Sequence, residues 1–101
     1  MHTTNNRQTA LHAIRERIKG ESGSAQCQRL LVALQALGSV STFEASRHLD
    51  IYHPPARAKE LRRDGHSIIT LRRQVETEAG VRHNVGVYVL SRGQRAAAVA
   101  P

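Results

Sequence analysis

The chain of 101 residues is 40% hydrophobic, which is enough for one domain with one core. Its 15 lysine and arginine residues outnumber 8 acidic residues, and the formal charge of +7 favours a polyanionic partner. Arginine far outnumbers lysine, which suits phosphate recognition, although a GC-rich genome would produce the same bias. No apolar run reaches the roughly 18 residues of a membrane span, and the N-terminus lacks the apolar segment of a secretory signal. We therefore expect a cytoplasmic protein without a membrane partner.

Residues that carry chemistry are sparse. Cys27 is the single cysteine, which excludes an internal disulfide and a four-thiolate zinc site. The six histidines follow no metal-ligand spacing. The chain also has no Ser/His/Asp order, no glycine-rich phosphate loop and no paired carboxylates in a polar setting. The sequence thus predicts neither an enzyme nor a metal, cofactor or small-molecule site.

The segment 1–23 is predicted to be a polar arm with one short helix. Residues 1–8 are polar and are expected to be disordered, whereas residues 9–19 place Leu11, Ile14 and Ile18 at helical spacing. The stretch at 20–24 predicts a flexible connection. The helix can therefore dock on the domain, form a homodimer with another copy, or fray, and the sequence does not choose among these.

A core helix is predicted over 25–37, and it ends at Gly38 in the position that glycine favours after a helix. Its apolar face comprises Cys27, Leu30, Leu31, Leu34 and Leu37. Val40 follows in a short extended piece, where one strand of a small sheet can begin.

Residues 41–63 predict two short helices joined by a tight turn. Ser41 and Glu44 have the spacing of a capping box, and Phe43, Ala45 and Leu49 supply the inward positions of the first helix. Proline is tolerated in a first helical turn, so the Pro-Pro pair at 54–55 starts the second helix, which runs to residue 63.

The second helix has an apolar face and a cationic one. Ala58 and Leu61 share the face that we expect to pack on the core helix, with Ile51 filling the turn. Arg57 lies towards the same side. We expect it to pair with Glu44 or Asp50 and to hold the two helices together.

Two strands joined by a hairpin turn are predicted next. Residues 67–76 are rich in β-branched side chains, and residues 83–90 alternate valine with Asn84, Gly86 and Tyr88, so one face of the second strand should be buried. Between the strands lies a polar turn at 77–80, whose Gly80 is free to take a positive φ. The Ala-rich tail 92–101 is expected to be disordered.

The predicted order over residues 24–91 is helix, short strand, helix, helix, strand, strand, preceded by an extra N-terminal helix. This is the α+β winged helix-turn-helix, a three-helix core with a β-hairpin wing. Residues 25–90 resemble the small winged helix-turn-helix DNA-binding domains of prophages and bacterial regulators. The resemblance is carried by Thr42-Phe43-Glu44-Ala45, by Pro54-Pro55-Ala56-Arg57 with Glu60-Leu61-Arg62, by Arg63-Asp64-Gly65-His66-Ser67-Ile68, and by Tyr88-Val89-Leu90. It implies double-stranded DNA as the partner and transcription regulation as the role.

The face of helix 54–63 opposite its apolar side is the predicted DNA-reading surface, which enters the major groove. Lys59 and Arg62 are the leading candidates for base edges or phosphates. Glu76 and Glu78 at the wing tip would instead repel phosphate. The full set of candidate DNA-binding residues is Ser41, Arg47, Tyr52, His53, Pro55, Ala56, Lys59, Arg62, Arg63, Arg73 and Arg82.

Two alternatives stay open for the winged helix. It can serve as a protein-interaction module without direct DNA readout. RNA binding has less support, because Phe43, Tyr52 and Tyr88 are the only aromatic residues and we expect Phe43 to be buried. A basic second helix favours DNA over both.

Overall fold

The computed structural model describes residues 3–76 and 78–91. Within these ranges the chain forms α1 (Thr3–Arg17), α2 (Gly23–Leu37), β1 (Ser39–Ser41), α3 (Thr42–His48), α4 (Pro54–Arg63), β2 (Ile68–Glu76) and β3 (Arg82–Leu90). The predicted α+β order is confirmed, and the helix over 54–63 has the predicted bounds. The tail 92–101, for which we predict disorder, lies outside the described residues.

Helix α1 docks on its own chain. It begins at Thr3, so the prediction of disorder is wrong for residues 3–8, which are helical. Leu11 and Ile14 are buried in the core, 0% and 5% exposed, where α1 meets α2 and α3. Ile18, just beyond the helix, packs against the same cluster. A homodimer through α1 stays a prediction, and it would have to use the polar side of this helix.

Polar contacts also tie α1 to α3. Arg7 donates from its guanidinium to both carboxylate oxygens of Glu44 and to the backbone oxygen of Ser39. Burial alone would raise the pKa of Glu44, but the hydrogen bonds from Arg7 and Ser41 hold that pKa below its usual value. Nε2 of His12 and Nδ1 of His48 lie 3.0 Å apart, so one ring nitrogen donates to the other.

The buried stripe of α2 differs from the predicted one. The helix is capped by Ser22, whose hydroxyl accepts from the backbone N–H of Ala25 at 3.1 Å. Cys27, which the apolar pattern puts on the core face, is only partly buried. Leu31 and Leu37 are likewise only partly buried. The stripe that faces the core consists of Gln26, Arg29, Leu30, Ala33 and Leu34.

Arg29 is the buried cation of this stripe, 2% exposed. Its Nε donates to the backbone oxygen of Leu49 at 2.7 Å, and Nη2 donates to that of Asp50 at 3.0 Å. Nη1 donates to the backbone oxygens of Ile18 and Gly20, each at 2.9 Å. One side chain therefore joins the end of α1 to the turn between α3 and α4.

The three strands form one antiparallel sheet in the order β1-β3-β2. We call the side that packs on the helices the inner face and the opposite side the outer face. Tyr88 and Leu90 of β3 lie in the helical core cluster and hence on the inner face. Side chains alternate along a strand, so the valines at 85, 87 and 89 lie on the outer face, where only Val87 is fully buried. The alternation predicts one buried face on β3. The helices pack against the face whose residues alternate with the valines.

Replacing Arg29 should be costly. Arg29→Met keeps the volume but leaves four carbonyls without this donor, so we expect the free energy of unfolding to fall by at least about 3 kcal/mol. Arg29→Lys should be nearly as damaging, because an ammonium cannot span the same four acceptors. The control is Arg17→Met, an exposed cation of α1, which should stay within about 0.5 kcal/mol of wild type. Urea unfolding at neutral pH measures all three, and a wild-type value for Arg29→Met would refute the role.

The histidine pair should make stability depend on pH. Burial lowers the pKa of His48 below its usual 6.5, and the nearby His12, Arg47 and Arg15 lower it further against an opposing effect of Glu44. The unfolded chain therefore takes up a proton that the native chain refuses. The free energy of unfolding should fall as pH drops below about 6.5, and this contribution levels off below the native pKa of His48.

The variant His48→Asn tests this contribution, because it removes the titrating ring but keeps a short polar side chain. We expect its free energy of unfolding to change less than that of wild type between about pH 7 and about pH 5. This window lies above the one in which Glu44 titrates. His83→Asn, an exposed position on β3, should keep the wild-type dependence. Equal slopes for His48→Asn and wild type would contradict the prediction.

Candidate nucleic-acid interface

The turn between α3 and α4 is held by neighbouring backbone and by α2. Ile51 is fully buried, as predicted, and its backbone N–H donates to the oxygen of Ala45 at 3.0 Å. The N–H of Tyr52 donates to Oε1 of Gln26 at 2.9 Å. Asp50 and His53 both adopt positive φ, 54° and 56°, a conformation that L-residues rarely take. The turn thus depends on contacts from outside itself to hold its shape.

Helix α4 packs on α2 through the predicted face. Ala58 is 0% and Leu61 is 3% exposed. The predicted partners of Arg57 are wrong: its Nη2 donates to Oε2 of Glu60 at 3.2 Å, one turn further along the same helix. Glu44 is instead bound by Arg7 of α1. Arg57 is therefore positioned on the flank of α4 that faces α2, away from Glu44.

The opposite face of α4 is open to solvent and positively charged. Tyr52, next to the helix start, is 49% exposed. The surface continues over His53, Pro55, Lys59, Arg62 and Arg63, which are exposed, and Ala56, which is partly buried. We call this set the α4 face. The structure therefore brings seven of the sequence-predicted residues onto one surface.

Among the described residues, Arg62 is the member of the α4 face whose side chain also bonds within the chain. Its Nε donates to the backbone oxygen of Ile68 at 2.6 Å, and its Nη2 donates to Oγ1 of Thr70 at 2.8 Å. These two bonds fasten the end of α4 to the start of β2. The remaining guanidinium N–H groups of Arg62 stay available for an anion.

The strand register sorts the wing cations between the two faces of the sheet. In the strand register, Arg72 lies opposite Gly86 and Arg82 lies opposite Glu76, which puts both arginines on the inner face. Arg73 pairs with Val85, so this predicted contact lies on the outer face. Of the adjacent wing cations Arg72 and Arg73, which face opposite ways, the sequence analysis chose Arg73, because the register that decides the faces depends on the turn and cannot be read from composition.

Gly86 lies close to both Arg72 and Thr42. A Cβ at Gly86 would lie 3.6 Å from Nη1 of Arg72 and 3.3 Å from the methyl carbon of Thr42. Burial raises the pKa of Tyr88, while Arg62 and Arg72 both act to lower it. Both arginines therefore lie in the neighbourhood of Tyr88, and the positive charge of the α4 face continues onto the inner face of the wing.

The predicted contacts on α3 are already engaged within the chain. The hydroxyl of Ser41 accepts from the backbone N–H of Glu44 at 3.0 Å, which confirms the capping box. The guanidinium of Arg47 lies 5.4 Å from the ring centre of Phe43. Phe43 is 56% exposed, so the prediction that it is buried is wrong. It sits two residues from Ala45, which is about 200° around a helix, and Ala45 faces the core.

The buried polar residues Gln26 and Arg29 are the other positions that sequence reasoning missed. A signal existed, since both share a helical stripe with Leu30 and Ala33. Most of their partners are backbone groups 9 to 26 residues away in sequence, which no local pattern reveals.

Comparison with known protein families identifies the fold. A family model described as a winged helix-turn-helix domain matches residues 25–93, more than half of the chain. The chain belongs to this winged helix-turn-helix family. No curated protein and no solved structure matches it. Winged helix-turn-helix domains are in general nucleic-acid-binding modules.

Two further findings concern this winged helix-turn-helix protein. Among the described residues, no helix is long and apolar enough to cross a membrane. The same part of the chain contains no group of three or more histidine, cysteine or acidic side chains arranged to hold a metal ion.

The bonds of Arg62 to β2 should be measurable as stability. Arg62→Ala removes both bonds, and we expect the free energy of unfolding to fall by about 1 to 2 kcal/mol. Arg63→Ala, the neighbouring exposed arginine, serves as the control and should stay within about 0.5 kcal/mol of wild type. Thermal or urea unfolding of the two variants decides the matter. Equal stability of the two variants would show that the Arg62 bonds contribute nothing.

Proposed function

We propose that this protein binds double-stranded DNA by placing α4 in the major groove. The observation that carries the proposal is the α4 face, an exposed cationic surface on the second helix of a winged helix-turn-helix. Lys59 and Arg63 on it have no ion pair or side-chain hydrogen bond within the described residues. Their charges are therefore free for phosphates or base edges.

The α4 face divides by position along the helix. The N-terminal end of a recognition helix commonly meets the bases, so Tyr52 and His53 are proposed base-edge contacts. Lys59, in the middle of the same face, is the third. Pro55 and Ala56 are small enough to let the helix approach the base edges, and they suit apolar contact with a thymine methyl group. Arg62 and Arg63, at the C-terminal end, are the proposed phosphate contacts.

The flanking DNA backbone is assigned to residues outside α4. Arg82 and Arg72 lie on the inner face of the wing, on the same side of the sheet as the end of α4. They suit contact with the adjacent DNA phosphates. Ser41, the N-cap of α3, and Arg47 within α3 are the proposed contacts on the other side. Arg73 belongs to the predicted set too, but from the outer face it would reach DNA only through a strongly twisted wing.

In the cell this activity suits a small transcriptional regulator or phage-type DNA-binding factor in the cytoplasm, as the resemblance to prophage and bacterial domains implies. The second candidate is a protein-interaction module without DNA readout. The outer face favours it, because Ile69 and Leu71 are 49% and 51% exposed there.

Salt titration of duplex binding tests the proposal. If about five cations neutralise phosphates, log affinity should fall against log salt with a slope of roughly −4 to −5. Lys59→Ala should weaken binding by about 1 to 3 kcal/mol if Lys59 reads a base. Arg63→Ala should weaken binding to all sequences alike and make the slope shallower by about one. Fluorescence anisotropy with random and selected duplexes measures both effects.

The matched control is Lys19→Ala, which removes the same charge just beyond the end of α1. Lys19 is 76% exposed and lies 3.7 Å from Glu16, far from α4 in the sequence. It should leave affinity and slope nearly unchanged. Absence of salt-sensitive binding by wild type, or an equal loss in Lys19→Ala and Lys59→Ala, would refute DNA reading by α4.

A further inference from the structure

Within the described residues, strand β2 leaves one long edge of the sheet unpaired. It is nine residues long and pairs with β3 on one side only. The backbone N–H of Ser91 donates to the oxygen of Ser67 at 2.8 Å, and the register continues without interruption to Glu76. In an antiparallel pair the bonded residues alternate, so odd-numbered residues of β2 bond to β3. Even-numbered residues from Ile68 to Glu76 direct their N–H and C=O groups outwards.

The start of this free edge is already covered. The outward carbonyl of Ile68 accepts from Nε of Arg62 at 2.6 Å, and Thr70 accepts from Nη2 of the same side chain. The part of the edge that remains open runs from Arg72 to Glu76. Every residue there is exposed. An open, ordered edge of this kind is a template for another strand.

The charges on the open edge are self-complementary in one register. Neither Arg72 nor Glu76 forms an ion pair within the described residues, and both point to the inner face. Two antiparallel copies of β2 that cross at Gln74 place Arg72 of each opposite Glu76 of the other. Opposite charges at paired positions stabilise a strand pair, whereas like charges destabilise it.

The neighbouring registers are excluded by the same rule. Crossing at Arg72 would oppose the two Arg72 side chains, and crossing one residue later would oppose the two Arg73 side chains. Registers that cross nearer Thr70 would need the carbonyl of Ile68, which Arg62 occupies. Crossing at Glu76 would oppose the two Glu76 side chains, and crossing at Val75 would set Glu76 opposite the uncharged Gln74. Among the registers centred within residues 72–76, the one centred on Gln74 sets each Arg72 opposite a Glu76.

We propose that the edge from Arg72 to Glu76 is a contact between two copies of this chain, paired antiparallel about a two-fold axis at Gln74. Six backbone hydrogen bonds would join the copies, two at each of the three paired positions. The two sheets become one of six strands. Its outer face then sets the aliphatic part of Arg73 beside Val75 of the other copy, and Val75 is 42% exposed in the single chain. The proposal does not rest on DNA binding.

Charge reversal with rescue tests the contact. Sedimentation equilibrium of the full chain, from low micromolar to near-millimolar concentration, should show a monomer–dimer equilibrium. Arg72→Glu and Glu76→Arg should each weaken the dimer at least about fivefold, because each creates two like-charge pairs across the axis. The double variant Arg72→Glu/Glu76→Arg should recover most of the loss.

The control is Arg73→Glu, which makes the same charge change one residue away, opposite Val75 rather than Glu76. It should weaken the dimer clearly less than Arg72→Glu does. A monomer at every concentration, a double variant no stronger than the single ones, or equal effects of Arg72→Glu and Arg73→Glu would each overturn the proposal.

Hydrogen exchange reports the same contact without a mutation. The amides of Arg72, Gln74 and Glu76 point to the open edge, so their exchange should slow as concentration rises. Those of Arg73 and Val75 bond to β3 and should be equally protected at all concentrations. A dimer in which the three outward amides keep exchanging at the monomer rate would place the contact elsewhere and overturn the proposal.

Discussion

Four backbone carbonyls from two separate segments converge on the guanidinium of Arg29 inside the protein. A buried cation is costly unless hydrogen bonds replace its hydration, and here peptide carbonyls do so without a carboxylate. The turn that it holds contains two residues at positive φ, and His53 gives α4 no side-chain cap. That turn has little local preference for its shape. The hydrogen bonds of Arg29 and Gln26 hold the turn in this shape, and the turn thereby fixes the direction in which α4 leaves the core.

The features that sequence reasoning found are those that local chemistry decides. The capping box of Ser41, the double proline that opens α4 and the glycine that ends α2 each act on neighbouring residues, so a short window suffices. The partner of Arg57 was wrong because it depends on which distant element lies opposite. The docking of α1 decides it: Arg7 takes the carboxylate that Arg57 would have used. Phe43 was wrong because it lies about 200° around α3 from the buried Ala45.

The candidate site was predictable to the same extent. The α4 face follows from helical periodicity once Ala58 and Leu61 are assigned to the core, and the structure keeps that assignment. The positions of the wing cations do not follow from the sequence, because a shift of one residue in register exchanges the faces of Arg72 and Arg73. Only the observed pairing shows that Arg72 belongs beside Arg62. Positive charge therefore continues from α4 onto the wing by an arrangement that the order of residues alone leaves open.

Arg62 connects the surface of α4 to the edge of the sheet. An uncovered β-edge invites pairing with any extended chain, and proteins protect such edges with charge or with a covering side chain. Arg62 covers the first carbonyl of β2, and the adjacent cations at 72 and 73 disfavour registers that would bring them against their own copies. The segment that remains uncovered is short, with Arg72 at one end, Gln74 at the centre and Glu76 at the other end. In the proposed dimer, the charges that disfavour the other registers are complementary to those of a second copy of the strand.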